Sequence, residues 1–218
     1  MVTTQPRRIA QTVRDVMSAE VVTASSATPF KDLVRLLEEH RISALPVLDP
    51  GRRVLGVVSE ADLLLKEADR QRRLGMRSAL LDPDEATRIA ALRATDLMTA
   101  PAVTIGPDEA VADAARVMIR RRVKRLPVVD DSGVLLGIVS RADVLKVFLR
   151  DDDSLADDVR GALTRALGAA DCAGLTVDVA DGVVTVGGAL ADSARIPLVA
   201  DTVRGVDGVV DVSFALGR

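Results

Sequence analysis

Two short motifs could bind a phosphorylated sugar. Ser59-x-x-Asp62 and Ser140-x-x-Asp143 each follow a β-branched run and precede a helical pattern. At such a strand-to-helix corner the first amides of the helix and its positive end lie beside the serine hydroxyl, which favours phosphate. The aspartate three residues later returns to the same helix face, where a carboxylate can accept both hydroxyls of a ribose. The same spacing is equally typical of a capping box, in which both side chains only satisfy backbone amides.

Both motifs belong to an internal repeat. Residues 13–65 align with residues 94–146 at a constant offset of 81, without a gap, and 19 of 53 positions are identical. Each copy predicts a short strand (21–23 or 103–104), a helix, two β-branched strands (44–48 and 54–58, or 125–129 and 134–139) and a second helix that begins at Ser59 or Ser140. An apolar stripe in the second copy predicts the core face of its first helix: Val111, Ala114, Ala115, Met118 and Ile119. The repeated unit is therefore predicted to be βαββα.

The two copies differ in charge just before the second strand. Between Asp113 and Asp130 the second copy has no acid and six cations, namely Arg116, Arg120, Arg121, Arg122, Lys124 and Arg125. The first copy has Ser43 and Ala44 where Lys124 and Arg125 stand. We expect Arg116 and Arg120 to lie on the helix surface. The difference predicts two unequal sites, of which the second is the better phosphate receptor and the first binds weakly or stays empty.

A third segment of different composition begins near residue 151. Residues 151–218 contain twelve acids, five arginines and no lysine, a net charge of −7, whereas residues 1–150 sum to +4. Ser154-x-x-Asp157 predicts a helix start and Gly168 a helix end. Asp181-Gly182 predicts a two-residue hairpin turn, and further apolar periodicity predicts a second helix and a last strand. The predicted order is αββαβ.

The repeated motif resembles the CBS domain, named after cystathionine β-synthase. The similarity rests on Leu-Pro-Val followed by Leu-Gly-Val-Val-Ser-x-Ala-Asp-Leu or Leu-Gly-Ile-Val-Ser-x-Ala-Asp-Val, twice in register. Residues 122–127, Arg-Val-Lys-Arg-Leu-Pro, are similar to a phosphate-contacting stretch of the γ subunit of AMP-activated protein kinase. The resemblance implies an α/β (α+β) fold in which two units pack as a pseudo-twofold pair, a Bateman module that commonly forms a homodimer. It also implies adenine-nucleotide ligands.

The resemblance further implies which residues would contact such a ligand. The serine would contact phosphate, the aspartate would hold ribose, and the adenine would lie in an aliphatic slot. In the first copy the implied residues are Thr23, Ile42, Ala44, Pro46, Val57, Ser59 and Asp62. In the second copy they are Thr104, Arg122, Val123, Lys124, Arg125, Pro127, Ile138, Ser140 and Asp143. For the aliphatic members, an ordinary place in the sheet core is an equally good interpretation.

The C-terminal segment resembles the BON domain (bacterial OsmY and nodulation). The similarity rests on Asp-Gly-Val-Val-Thr-Val-x-Gly at residues 181–188 and on the glycine and valine spacing of residues 203–212. That family is suspected of binding phospholipid or other partners. Because anionic headgroups attract basic residues and repel acidic ones, a segment of charge −7 argues against membrane-surface binding.

Composition excludes several other classes of function. Cys172 and His40 are the only residues of their types, so a thiolate metal site, a disulfide and most histidine-dependent catalytic pairs cannot form within one chain. Tyrosine and tryptophan are absent and phenylalanine numbers three, which removes the stacking platforms of single-strand nucleic-acid binders. We expect no enzyme activity, no metal, no catalytic cofactor and no nucleic-acid partner. The longest uncharged stretch, residues 97–107, is too short to cross a bilayer, and no targeting segment is evident, so we expect a cytoplasmic protein.

The expected organisation has four parts: a first CBS domain (1–68), a charged helical connector (69–93), a second CBS domain (94–150) and a BON-like domain (151–218). The leading hypothesis is a homodimeric sensor that binds AMP, ADP or ATP, with S-adenosylmethionine as a further candidate, and signals through the BON-like domain to an unidentified effector. The alternative is a ligand-free dimeric scaffold, in which the two serine–aspartate motifs only cap helices.

Overall fold

The computed structural model describes residues 11–64, 93–190 and 192–216. The chain forms two compact units. The repeat unit comprises Met17–Glu109 and Val117–Ser140, and the C-terminal unit comprises Met1–Val16, Ala110–Arg116 and Arg141–Arg218. Most of the predicted helical connector, for which Asp82-Pro83 predicts a helix start, lies outside the described residues. The predicted domain boundaries stay predictions.

The two copies of the repeat fold into matching elements. The first contains α1 (Val13–Val16), β1 (Ala24–Ser25), α2 (Phe30–His40), β2 (Ala44–Leu48), β3 (Val54–Ser59) and α3, which begins at residue 60. The second contains α4 (Ala94–Leu97), α5 (Val111–Arg121), β4 (Arg125–Val129), β5 (Leu135–Ser140) and α6 (Arg141–Leu145). The long strands pair as antiparallel hairpins with equivalent registers, Ala44 opposite Ser59 and Arg125 opposite Ser140. The predicted α+β class is confirmed.

The first strand of each copy differs from its prediction. In the first copy the strand is Ala24–Ser25, which pairs in parallel with Val47 and Leu48, and residues 21–23 are not a strand. In the second copy residues 103–104 are not a strand either, and Ile105 alone forms a bridge with Val128. Gly106 and Pro107 follow Ile105, and because proline has no amide hydrogen the ladder cannot continue there. The position of each first strand is therefore set by its pairing with the neighbouring strand and not by the β-branched residues that precede it.

Two further predictions need correction. The serines of both motifs are the last residues of β3 and β5, so the helices begin one residue later than predicted. The apolar stripe of α5 is buried at Val111, Ala114 and Met118, but Ile119 is 73% exposed. The buried stripe is narrower than predicted, because successive helix residues point about 100° apart and the core covers the side of Met118 but not that of Ile119.

Backbone pairing relates the two copies by a pseudo-twofold axis. Val57 of β3 exchanges two hydrogen bonds with Thr99 (3.1 and 2.9 Å), and Ile138 of β5 exchanges two with Ser18 (2.9 and 3.0 Å). These pairs are equivalent under the offset of 81. Arg53 forms a backbone bridge with Val134, the residue equivalent to Arg53 under the same offset, so this bridge marks the axis. The predicted pseudo-twofold pair is confirmed.

The glycine of each Leu-Gly motif permits this exchange. A Cβ on Gly56 would lie 2.7 Å from the Met98 sulfur and 2.8 Å from the Thr99 carbonyl oxygen, and one on Gly137 would lie 2.7 Å from the Met17 sulfur and 2.9 Å from the Ser18 oxygen. Neither position has a left-handed backbone, so close packing and not conformation requires glycine. This explains why the repeat retains glycine at both places.

The C-terminal unit contains the predicted αββαβ order with small additions. Its elements are a 3-10 turn (Lys146–Leu149), α7 (Asp152–Leu167), α8 (Ala169–Cys172), β6 (Leu175–Ala180), β7 (Val183–Gly188), a 3-10 turn (Ser193–Arg195), α9 (Ile196–Arg204) and β8 (Asp211–Leu216). β7 is the central strand, antiparallel to β6 and parallel to β8. Helices α7 and α9 bury apolar residues, among them Val159, Leu163 and Val203, in one core with Val184 and Val186 of β7. Among the helices described, none is long and apolar enough to cross a bilayer.

Two turns of this unit follow the sequence closely and one helix start does not. Asp181 and Gly182 have φ values of 50° and 74°, as a type I′ hairpin turn requires, and Gly168 ends α7 with φ 90°. The helix cap is Asp151, whose carboxylate accepts from the Ser154 amide, so Ser154 is not the cap. The wrong assignment arises because Asp and Ser are comparably good caps, and three consecutive aspartates precede Ser154.

We expect Gly56→Ala to destabilise the protein, because the new Cβ would meet a backbone oxygen that cannot move without breaking the Val57–Thr99 pairing. Overpacking of this kind typically costs about 1–3 kcal/mol. The free energy of unfolding in urea measures the effect. Gly106→Ala is the matched control, since its Cβ meets nothing closer than 3.5 Å. Equal stability of the Gly56 variant and the wild type would show that the close approach is not required.

The Asp151 cap predicts a pH dependence. The hydrogen bond from the Ser154 amide lowers the pKa of Asp151 below its ordinary value. A carboxylate with a lowered folded-state pKa stabilises the fold above its unfolded pKa, near 3.8, and loses that contribution as the pH falls through the folded value. Asp151→Ala should therefore lower the melting temperature at pH 7 and have less effect at pH 3. Asp153→Ala, in the same first turn but not the cap, is the control, and a pH-independent effect of Asp151→Ala would contradict the assignment.

Candidate functional site

An open cavity of about 250 Å³ lies within the repeat unit, between the two copies. Its wall is drawn from both: Ser43, Ala44, Val57, Ser59, Glu60, Ala61 and Asp62 from the first copy, and Thr99, Ala102, Val103, Arg122, Val123, Lys124 and Arg125 from the second. The cavity is therefore a product of the pseudo-twofold packing. Neither copy could form it alone.

The lining separates into an aliphatic part and a charged part. Ala44, Val57, Val103 and Val123 provide apolar surface, to which the small side chains of Ala61 and Ala102 add. The charged part consists of three cations, Arg122, Lys124 and Arg125, and two carboxylates, Glu60 and Asp62. Flat apolar walls beside a cluster of cations can accommodate a flat ring joined to an anion.

The cations reach the cavity because of the way α5 ends. Arg122 has φ 55°, and the amides of Arg122 and Val123 bond back to the Ile119 and Met118 carbonyls, as in a left-handed helix cap. This turn leads directly into β4, so residues 122–125 lie along the cavity wall. Arg122 and Lys124 are exposed and Arg125 is half-buried.

Arg125 crosses the pseudo-twofold axis. Its guanidinium donates to the Ser43 hydroxyl, and its Nη1 lies 3.4 Å from the Ala44 carbonyl oxygen. Ala44 is the residue equivalent to Arg125 under the offset of 81. The arginine therefore occupies space at the axis that two small residues would leave empty, and its charge lies at the boundary of the two copies.

Ser59 and Asp62 form a closed hydrogen-bonded corner. Asp62 Oδ2 accepts from the Ser59 amide at 2.8 Å and from the Ser59 hydroxyl at 2.6 Å, and Thr99 Oγ1 lies 3.4 Å from Asp62 Oδ1. Asp62 is only 8% exposed although it lines the cavity. This is the capping arrangement that the spacing allowed. The hydroxyl hydrogen of Ser59 is committed to Asp62, so Ser59 can donate to a phosphate only if that bond is broken.

The second corner has a buried aspartate in an ion pair. Asp143 is buried, with 9% exposure, and its Oδ1 accepts from Lys146 Nζ at 2.8 Å. The lysine side chain is exposed, so the buried carboxylate is compensated from the solvent side. This ion pair has no counterpart in the first copy, where Leu65 stands at the position equivalent to Lys146.

The structure brings together about half of the residues predicted for a site. Ala44, Val57, Ser59 and Asp62 line the cavity with Arg122, Val123, Lys124 and Arg125. The other predicted residues are not part of this lining: Thr23, Ile42, Pro46, Thr104, Pro127, Ile138, Ser140 and Asp143. Pro46 and Pro127 instead pair with Val57 and Ile138 in the hairpin ladders. Arg125 is the cross-strand neighbour of Ser140 in the second corner, and together with Arg122 and Lys124 it also lines the cavity that contains the first corner.

Sequence reasoning missed the part of the wall that comes from the start of the second copy. Thr99, Ala102 and Val103 line the cavity because Thr99 pairs with Val57. A signal for this was present, since Asp-x-Met-Ser/Thr-Ala recurs at residues 15–19 and 96–100. Retention of that short motif in both copies is explained by its pairing with the opposite hairpin. Among the described residues, no group of histidine, cysteine and carboxylate side chains is arranged to hold a metal ion.

Comparison with known proteins identifies the domains. The CBS domain model matches residues 13–69 and 94–150, and the BON domain model matches residues 151–216. An uncharacterized protein of Methanocaldococcus jannaschii is 29% identical over 156 residues, which span 63% of this chain and 90% of that protein.

Two solved structures share the fold of the repeat. The structure of CBSX2 in complex with AMP has a TM-score of 0.54 and 28% identity, over 63% of this chain and 96% of that chain. The CBS domain pair of protein MJ0100, in complex with 5′-methylthioadenosine and S-adenosyl-L-methionine, has a TM-score of 0.51 and 25% identity, over 63% of this chain and 99% of that chain. The chain belongs to the CBS-domain family and carries two CBS domains followed by a BON domain.

Proposed function

We propose that this protein is a regulatory protein that binds an adenine nucleotide, such as AMP, in its CBS pair and catalyses no reaction. The observation that carries the proposal is the cavity, in which an aliphatic slot adjoins Arg122, Lys124 and Arg125. The AMP complex of CBSX2 and the adenosyl-ligand complex of MJ0100 support adenine compounds as the ligand class. Calorimetric titration with AMP, ADP, ATP and S-adenosylmethionine identifies the ligand.

Each part of the cavity has a proposed role. The aliphatic side chains of Val57, Val103 and Val123 contact the faces of the purine, and backbone groups of the neighbouring strands read its edge. Asp62 accepts the ribose hydroxyls, and the three cations neutralise the phosphate through charge-assisted hydrogen bonds. Ser59 holds Asp62 in place while its hydroxyl is committed to that carboxylate. In the second copy, Ser140 is proposed to contact phosphate and Asp143 to hold ribose, with Thr104 and Ile138 beside the purine.

The charge of the ligand follows from the charge of the lining. Three cations and two carboxylates leave an excess of one positive charge, and Asp62 is already compensated by the hydrogen bonds of Ser59. A phosphate group balances this excess, whereas an uncharged nucleoside does not. Since Arg125 already bonds to Ser43 and Ala44, Arg122 and Lys124 are the cations that can turn to the phosphate at least cost.

The protein is further proposed to form a homodimer through its CBS pair. Its BON domain is proposed to convey the ligand state to an effector. A ligand changes the geometry of such an assembly only by its different affinity for two states. Leu64 and Leu145, at equivalent positions of the two copies, are exposed apolar side chains that a dimer interface would bury.

One observation favours a second candidate, a dimeric scaffold without a ligand. The Asp62 carboxylate is turned onto the amide and hydroxyl of Ser59, which is sufficient to explain the motif as a helix cap. On this alternative the cavity is a by-product of packing, and its cations are surface charges.

Removal of the two exposed cations tests the phosphate role. The double variant Arg122→Gln/Lys124→Gln should bind AMP about tenfold more weakly, which corresponds to about 1.4 kcal/mol, because two charge-assisted bonds are lost. Binding of adenosine, which has no phosphate, should not change. Isothermal titration calorimetry at one salt concentration measures both. The matched control is Arg120→Gln/Arg121→Gln, which removes the same charge from the adjacent turn of α5, outside the lining. Equal AMP affinity of the two double variants would refute the assigned role.

Replacement of Asp62 separates the sensor from the scaffold. Asp62→Asn keeps an oxygen that can accept from Ser59 but loses the charge that binds two ribose hydroxyls. A sensor should then lose tenfold or more in AMP affinity, with a loss of unfolding free energy of no more than about 2 kcal/mol. Calorimetry and urea unfolding measure the two quantities, and Asp32→Asn, an exposed first-turn acid of α2, is the control. A scaffold would show the stability change with no detectable AMP heat in the wild type or either variant.

A further inference from the structure

Arg125 differs from the other two cations of the cavity in how firmly it is held. Its guanidinium donates to the Ser43 hydroxyl and, at 3.4 Å, to the Ala44 carbonyl oxygen. Arg122 and Lys124 are exposed, whereas Arg125 is half-buried. An exposed side chain can turn away from a ligand group of like charge at little cost, but a side chain anchored by hydrogen bonds loses those bonds when it moves. The charge of Arg125 is therefore a fixed feature of the cavity.

The anchored guanidinium lies close to the corner formed by Ser59 and Asp62. Ala44, to which it bonds, is the cross-strand neighbour of Ser59 in the β2–β3 hairpin. In the proposed function Asp62 of this corner holds the ribose. We therefore expect the group attached to the 5′ carbon of that ribose to be within reach of the Arg125 charge.

The two carboxylates of the lining compensate this charge poorly. Asp62 is only 8% exposed, and its Oδ2 accepts from both the amide and the hydroxyl of Ser59. Glu60 is exposed, so water and salt screen its charge. A cationic ligand group beside Arg125 would be repelled by a fixed charge and attracted only by carboxylates that are capped or screened.

We propose that Arg125 sets the ligand specificity of the cavity: it admits an adenosine compound whose 5′ substituent is anionic or neutral and discriminates against one whose 5′ substituent is a cation. The proposal rests on the proposed function and deepens it, because the candidate ligands named there differ in this charge. AMP carries a phosphate at the 5′ position, whereas S-adenosylmethionine carries a sulfonium ion. A binding site separates two such ligands by a repulsive group as well as by attractive contacts.

Isothermal titration calorimetry of the full-length chain with three ligands tests the proposal. S-adenosylhomocysteine is the matched neutral ligand, because it differs from S-adenosylmethionine only by one methyl group and the positive charge on sulfur. The wild type should bind AMP most tightly and S-adenosylhomocysteine more weakly. It should bind S-adenosylmethionine about fivefold or more weakly than S-adenosylhomocysteine, because juxtaposed like charges oppose binding.

Arg125→Gln removes the fixed charge and keeps a side-chain amide that can donate to Ser43. This variant should bind the two S-adenosyl ligands with affinities that agree within about twofold, since the repulsive group is gone. Arg122→Gln is the matched control, because it removes one exposed cation from the same lining. It should weaken AMP binding but keep the wild-type ratio of the two S-adenosyl affinities.

The salt dependence of the wild type keeps the proposal testable if Arg125→Gln does not fold. Raising the ionic strength from about 0.1 M to about 1 M shortens the screening length from about 10 Å to about 3 Å, which acts on exposed charges far more than on half-buried ones. AMP affinity should therefore fall, while the ratio of the two S-adenosyl affinities should persist. A ratio that falls to one at high salt would assign the discrimination to the exposed cations and overturn the role of Arg125.

The remaining outcomes separate this inference from the proposed function. Absence of binding by every adenine ligand, ADP and ATP included, would overturn both. AMP binding together with equal affinities for the two S-adenosyl ligands would overturn the specificity alone. The same holds if S-adenosylhomocysteine fails to bind while AMP binds, or if Arg125→Gln keeps the wild-type ratio.

Discussion

The exchange of backbone hydrogen bonds between the two copies is the constraint on which the rest of the repeat unit depends. Val57 pairs with Thr99 and Ile138 with Ser18, so each hairpin is completed by the segment that begins the other copy. Backbone bonds of this kind are specific in register, because a shift by one residue would turn every strand side chain to the opposite face. They also require that nothing larger than hydrogen project from Gly56 and Gly137, where a methyl group would meet the paired oxygen. The duplication is thus more than a sequence relationship, since neither copy has a complete edge without the other.

The cavity follows from the same exchange. Thr99 is held beside Val57, and residues 102–103 and 122–125 complete a wall that begins with the Ser59 corner. Because the two copies differ in charge, the cavity has carboxylates on one side and cations on the other. Copy one supplies the carboxylate corner and small residues at Ser43 and Ala44, and copy two supplies the cations at the equivalent positions. Arg125 fits at the axis because Ala44 leaves room for it. Had both copies carried arginine there, two like charges would face each other across the axis, and repulsion would oppose the pairing.

The repeat and the turn residues made most of the fold predictable. The offset of 81 and the hairpin patterns predict the strands 44–48 and 54–58, and Asp181-Gly182 predicts the BON hairpin, because these features depend on local geometry. The predicted positions of the first strands and the predicted burial of Ile119 were wrong, because both depend on which element packs against them in the folded protein. The site was predictable in its residue types but not in its grouping. Periodicity indicates that Lys124 and Arg125 adjoin a strand, but only packing brings them to one cavity with Ser59 and Asp62.

The two interpretations of the serine–aspartate motif are physically compatible. A carboxylate has about four lone-pair positions, so capping of the Ser59 amide by Asp62 does not by itself exclude a hydrogen bond from a ligand. At Asp143 the ammonium group of Lys146 adds an ion pair at 2.8 Å, and no such pair can form in the first copy, where Leu65 stands at the equivalent position. The same motif therefore carries a different charge in the two copies. Because a ligand at the second corner would have to share its carboxylate with a cation, binding at one corner does not imply binding at the other.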